Sequence, residues 1–116
     1  MFSTGEVLDR HLKSFADRDL EGVLADYSPN AVLFVPTGML KGPNEIKPLF
    51  ETLISEFAKP GSSFTMQQRC IEGDHAYIRW TAETADHWYE FATDTFVVRH
   101  GKIVAQSFAA KIKSKC

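Results

Sequence analysis

Apolar positions recur at helical spacing up to about residue 60 and at strand spacing beyond it. Ser3-Thr4-Gly5-Glu6 has the form of a capping box. Behind it, Val7, Leu8, His11, Leu12 and Phe15 fall on one side of a helix, with Glu6, Asp9, Arg10, Lys13 and Asp17 opposite. His11 therefore lies inside an apolar stripe. A second helix is predicted from Asp19, a suitable N-cap, with Leu20, Val23, Leu24 and Tyr27 in register and a stop at Ser28-Pro29-Asn30. Residues 31–36 (AVLFVP) read as a short strand closed by Pro36 and Thr37-Gly38. Ile46, Leu49, Phe50, Leu53, Ile54 and Phe57 mark a third helix, stopped by Lys59-Pro60-Gly61, with Pro48 expected in or near its first turn.

Four strands follow, over 63–72, 75–85, 87–99 and 102–112, broken at Gly73-Asp74, Ala85-Asp86 and His100-Gly101. Helices segregated from an antiparallel meander predict an α+β domain, with helices on one face of a curved sheet. On the strand over 87–99, alternation puts Trp88, Glu90, Ala92, Asp94, Phe96 and Val98 on one face. The other face, with Tyr89, Phe91 and Val97, is also partly apolar. A sheet with two half-apolar faces predicts a homodimer packed through the outer one.

Composition narrows the function classes. The 116 residues suit one domain, and thirteen basic against fifteen acidic side chains leave a net charge of −2. That balance argues against nucleic acid or an anionic membrane as the main partner. Cys70 and Cys116 make no zinc or disulfide pattern, and Cys70 reads as a small core residue. No signal peptide or membrane-length apolar run is visible, so a cytoplasmic setting is expected. No two histidines have metal-ligand spacing, and Gly38, Gly42 and Gly61 form no phosphate-cradling loop. Neither a metal nor a nucleotide cofactor is expected.

Asp94 is the residue that asks for an explanation. A carboxylate on a core-facing strand position is costly unless it is paired, hydrogen-bonded or protonated. His11, from the apolar stripe of the first helix, is the natural partner. A His and a carboxylate sharing a dry pocket form an acid–base dyad. A purely structural hydrogen bond between two core polar residues is the competing explanation.

Three stretches, ADRDLEGVLADYSPNAVLFVP (16–36), MLKGPNEIKPLFETL (39–53) and DTFVVRHGKIVAQSFAAKI (94–112), resemble the nuclear transport factor 2-like superfamily. The likeness is strongest to its SnoaL-like and ketosteroid-isomerase-like members. It implies a cone-shaped fold, three helices packed on a curved, mainly antiparallel sheet around one pocket, often in a dimer. It also places His11 where the isomerases carry an oxyanion-binding tyrosine, and Asp94 at their oxyanion-binding aspartic acid. The isomerase base precedes a proline on the first strand, and here Val35 precedes Pro36. Isomerisation by that route is not expected. Limonene epoxide hydrolases use an Arg-x-Asp pair, but Arg79 is followed by Trp80 and Thr81.

The expected site has His11 and Asp94 as the chemical pair. Phe15, Phe34, Trp80 and Phe108 form apolar walls, and Val35, Trp88 and Phe96 are further candidates to line the pocket. Tyr27 and Gln106 offer polar groups to orient a ligand. The expected ligand is a small hydrophobic carbonyl or hydroxyl compound, handled without a cofactor by an isomerase, cyclase or hydrolase. The alternatives are a non-catalytic ligand-binding module and a structural dimer with a vestigial cavity.

Overall fold

The computed structural model describes residues 2–116. Ser3 Oγ accepts the Glu6 amide while the Ser3 amide donates to Glu6 Oε1, so the capping box starts α1 (Thr4–Ala16). Asp19 accepts the Gly22 amide at the start of α2 (Leu20–Ala25). The helix ends before Tyr27, contrary to the helical spacing of that residue. Tyr27 instead opens β1 (Tyr27–Val35) and pairs with Ile103, whose amide donates to the Asp26 carbonyl at 2.8 Å. Tertiary strand pairing outweighs the periodicity of so short a helix.

Thr37-Gly38, expected to close a lone strand, turns the chain into a hairpin with β2 (Gly38–Lys41). Helix α3 (Gly42–Ala58) then begins with Pro43 in its first turn. Gly42 sits at φ 78°, and a Cβ there would come within 3.1 Å of the Pro29 carbonyl oxygen. Pro48 lies further inside α3 than its first turn, so the Asn44 carbonyl has no i+4 amide to accept.

Strands β3 (Ser63–Glu72), β4 (His75–Glu83), β5 (His87–Arg99) and β6 (Lys102–Ser114) complete the chain. The six strands form one curved, unclosed sheet in the order β2-β1-β6-β5-β4-β3, antiparallel except for the β1–β6 pair. The three helices cover its concave face, as the α+β reading anticipates. Val7, Val23, Leu33, Ile46, Ile78 and Ile103 fill the interface between the layers.

Bulges decide which side chains reach that interface. In β5 one extra residue separates Tyr89, opposite Ile112, from Phe91, opposite Lys111. Beyond the bulge the alternation reverses, so Tyr89 joins Ala92, Asp94 and Phe96 on the inner face. Trp88 turns outward and is 39% exposed, which corrects its expected place in the pocket. A second bulge puts Ile103, rather than Val104, inward with Gln106. On β1, Leu33 faces inward beside Gln106, while Phe34 is 51% exposed and pairs with Met39. Phe34 is therefore no cavity wall: the strand's phase is the opposite of the one that role requires. Cys70 is exposed on edge strand β3, not buried in the core.

Candidate functional site

The apolar stripe of α3 and the concave sheet enclose a cavity of about 100 Å³. Leu49, Phe50, Leu53 and Phe57 supply its α3 wall, and Leu12 and Phe15 its α1 wall. Trp80, Phe96 and Phe108 face it from the sheet, joined by Leu33, Ile78 and Tyr89, which the sequence pattern did not single out. A second cavity of about 240 Å³ shares Leu12, Phe15, Phe57 and Phe64 with the first. Phe15 and Phe57 meet edge to face at 5.5 Å, and Phe64 lies 5.2 Å from the Trp80 ring. These rings form an aromatic partition between the two spaces.

His11, Asp94 and Gln106 are the polar side chains of the inner cavity besides the Trp80 indole and the Tyr89 phenol. Asp94 Oδ2 accepts from Trp80 Nε1 at 2.9 Å, and its Oδ1 accepts from Gln106 Nε2 at 2.9 Å. Burial raises the Asp94 pKa above the ordinary carboxylate value, opposed by those two hydrogen bonds and by the His11 charge. An acid so placed holds its proton to higher pH than a surface carboxyl would.

His11 does not bond Asp94, which corrects the expected direct dyad. Its Nδ1 faces Asp26 Oδ2 at 3.0 Å, and Asp26 Oδ1 accepts from Arg10 Nε at 2.7 Å. Its Nε2 lies 3.3 Å from the Tyr27 hydroxyl, which donates to Gln106 Oε1 at 2.6 Å. The imidazole packs edge-on against Tyr27, Phe50 and Phe96, which fixes its plane. A continuous chain thus runs from Arg10 and Asp26 through His11, Tyr27 and Gln106 to Asp94 and Trp80. Among the described residues, no buried side-chain nitrogen or oxygen lacks a partner.

Asp26 is the residue that sequence reasoning missed. Only 1% of it is exposed, yet it lies off the apolar stripe of α2, and only the nearby helix stop marks it as a corner. Tyr27 is buried behind the cavity wall rather than on it, and its hydroxyl serves the hydrogen-bonded chain. Burial, followed by Asp94 and Asp26, pushes its pKa well above the usual tyrosine value. Val35 packs against the core outside the lining residues.

A second polar cluster ties α3 to the β4–β5 turn. Glu56 Oε2 accepts from Thr84 Oγ1 at 2.8 Å and from the Tyr89 hydroxyl at 3.0 Å, and lies 3.1 Å from His87 Nδ1. His87, at the start of β5, is half-buried by this contact. Among the described residues, no cluster of three or more His, Cys, Asp or Glu side chains could hold a metal, and no helix is long and apolar enough to cross a membrane.

A family model described as a SnoaL-like domain matches residues 8–106. No curated protein matches the sequence significantly. Solved structures similar to this chain include an NTF2-like protein of unknown function from Cytophaga hutchinsonii, with a TM-score of 0.78 at 10% identity over 96% of this chain and 92% of that one. TerC, co-crystallised with polyporic acid, gives a TM-score of 0.74 at 19% identity, covering 93% and 91% of the two chains. A provisionally assigned ketosteroid isomerase from Kribbella flavida gives 0.75 at 13% identity, covering 93% and 77%. At these identities the likeness establishes the fold.

Proposed function

We propose that this chain, which belongs to the SnoaL-like domain family, binds a small hydrophobic carbonyl or hydroxyl compound in its inner cavity and moves a proton on it without a cofactor. The observation that carries this reading is a buried acid and a mounted imidazole lining one apolar cavity. Asp26 accepts from His11 Nδ1, which leaves Nε2 of the neutral ring as the basic atom. Asp94, whose protonated form burial favours, donates to the ligand oxygen as negative charge develops there. His11 then takes a proton from the carbon beside the carbonyl and returns it to a second position. Proton return to carbon gives an isomerase; in a cyclase the enol carbon instead attacks a second carbonyl, whose oxygen takes the His11 proton while the enol O–H proton returns to Asp94. The mechanism needs no base at Val35.

The inner space suits the reacting end of the ligand only. A site of about 150 Å³ accommodates benzene, so at about 100 Å³ an extended ligand must also pass the phenylalanine partition into the outer cavity.

Solvent deuterium exchange tests the reading. Cyclic enones and aryl ketones incubated in D₂O with the protein are expected to gain deuterium beside the carbonyl. Asp94→Asn and His11→Gln should each slow that gain about 100-fold. Binding without protein-dependent exchange in any of these compounds would leave the non-catalytic alternative. One observation favours that alternative: among the described residues every buried side-chain nitrogen and oxygen already has a hydrogen-bond partner within the protein.

Pairing of two copies through the convex sheet face belongs to the same proposal. Met39, Phe34 and Phe91 are exposed there, beside small residues such as Ala109. Light scattering is expected to give twice the chain mass of 13.1 kDa, and Phe91→Lys to shift it toward one copy. A monomer at high micromolar concentration would refute the pairing.

A further inference from the structure

Counting hydrogens along the buried chain leads to a property of the pair at its ends. Three links join His11 Nε2 to Asp94 Oδ1: imidazole to Tyr27 oxygen, Tyr27 oxygen to the Gln106 amide, and the amide to the carboxyl. Each link needs one hydrogen. Tyr27 supplies one, because its raised pKa keeps the phenol protonated. Gln106 supplies one, since it presents its oxygen on one side and an N–H on the other. The remaining hydrogen has to come from an end, either from His11 or from Asp94.

We propose that Tyr27 and Gln106 are positioning residues that make His11 and Asp94 a one-proton pair, with the Gln106 amide reversing orientation according to which end holds the proton. With the proton on His11, the imidazolium donates to Tyr27, Tyr27 to Gln106 Oε1, and Gln106 Nε2 to the Asp94 carboxylate. With the proton on Asp94, its O–H donates to Gln106 Oε1, Gln106 Nε2 to Tyr27, and Tyr27 to neutral His11. A half-turn of the amide exchanges these two patterns, and atom positions alone do not distinguish them.

Both arrangements carry the same total charge, because one proton only changes ends while Arg10 and Asp26 offset one another in both. Neither leaves a buried group unpaired. Removing the proton from both ends makes two acceptors face each other at one link, and adding one to both makes two hydrogens collide. Both outcomes are disfavoured where water cannot intervene. The other groups around the pair do not break this count. Trp80 Nε1 only donates, and Asp26 accepts from both Arg10 and His11. The Tyr89 hydroxyl on β5 is committed to Glu56, whose other neighbours are Thr84 and His87. The side chains that α3 and β3 contribute to the cavity are apolar.

The inference rests on the proton-transfer reading and gives it a reset step. When Asp94 turns its O–H from Gln106 to the ligand oxygen and His11 Nε2 releases the Tyr27 hydroxyl to take the carbon proton, the pair passes from the acid-protonated to the imidazolium arrangement. Proton return to carbon, with the enol O–H proton going back to Asp94, restores the start. No proton crosses the amide. Gln106 follows by turning, and the chain is fully hydrogen-bonded before and after each transfer.

The test is NMR titration of the intact chain, following Asp94 Cγ and His11 Nε2 in wild type, Gln106→Leu and Tyr27→Phe. In wild type both nuclei are expected to respond at both of two well-separated steps, with intermediate values between them. Cutting the chain should bring the steps closer by about one pH unit, a tenfold change in proton affinity, and leave each nucleus responding to its own step. If either variant fails to fold, the other cuts the same chain, and the wild-type pattern is decisive alone. One independent step per residue, unmoved in both variants, would overturn the proposal. Coupled titration without deuterium exchange would support the pair and reject catalysis, while exchange with uncoupled titrations would do the reverse.

Discussion

Asp26→Ala is expected to lower the unfolding free energy by about 3 kcal/mol, the low end for removing one partner of a buried ion pair. The side chain it removes is 2% exposed and serves both Arg10 and His11. Its loss leaves the His11 Nδ1 hydrogen without an acceptor in the core, which is the larger part of the cost. Arg10 is 36% exposed and can turn to water, which keeps the figure low. Arg10→Ala should accordingly cost only about 1 kcal/mol. Urea unfolding at pH 7 measures both. Equal effects for the two variants would mean that Asp26 acts mainly through Arg10, and His11 would lose its role as an anchored base.

Asp94→Asn is expected to change the dependence of stability on pH. Burial raises the carboxyl pKa in the folded protein above its unfolded value. Between the two values the native state binds more protons than the unfolded state, so stability falls as pH rises through that window. Below the unfolded value the penalty is absent, and above the folded value it is complete. Asparagine removes the titration while still accepting from Trp80. The variant should match wild type below the ordinary carboxylate pKa and be more stable than wild type at neutral pH. Thermal or urea unfolding across that range decides the matter. A constant offset would indicate that the ionised carboxylate is no burden, contrary to its burial.

The legible and illegible parts of the chain divide along physical lines. Ser3 to Glu6, the α3 stripe and the breaks between strands are local signals, and each stands where the pattern puts it. The side-chain phase of a strand is local only while the strand is regular. One extra residue in β5 sends Trp88 outward and Tyr89 inward, and nothing in the composition of 87–92 announces it. Phe34 and Leu33 are equally apolar, so only pairing with β6 decides which of them faces in. Asp94 and His11 were identifiable because each interrupts an apolar run. Asp26 was not, because it stands at a corner where charged residues are ordinary. Its burial follows from the docking of α2 against α1 and from the bond between its carbonyl and Ile103.

The aromatic partition between the two cavities carries a consequence for time rather than affinity. Phe15 and Phe57 pack on each other, and Phe64 on Trp80. A guest larger than the inner space must displace at least one of these rings on entry and again on exit. Exchange of such a guest, rather than its equilibrium occupancy, would then follow the frequency of ring displacement, with slow arrival and slow departure even for a weakly held compound. Arg18, which lines the outer chamber, is the charged side chain met along that route. Selection among guests of similar polarity would be made by residence time at the three phenylalanines, before Asp94 is reached.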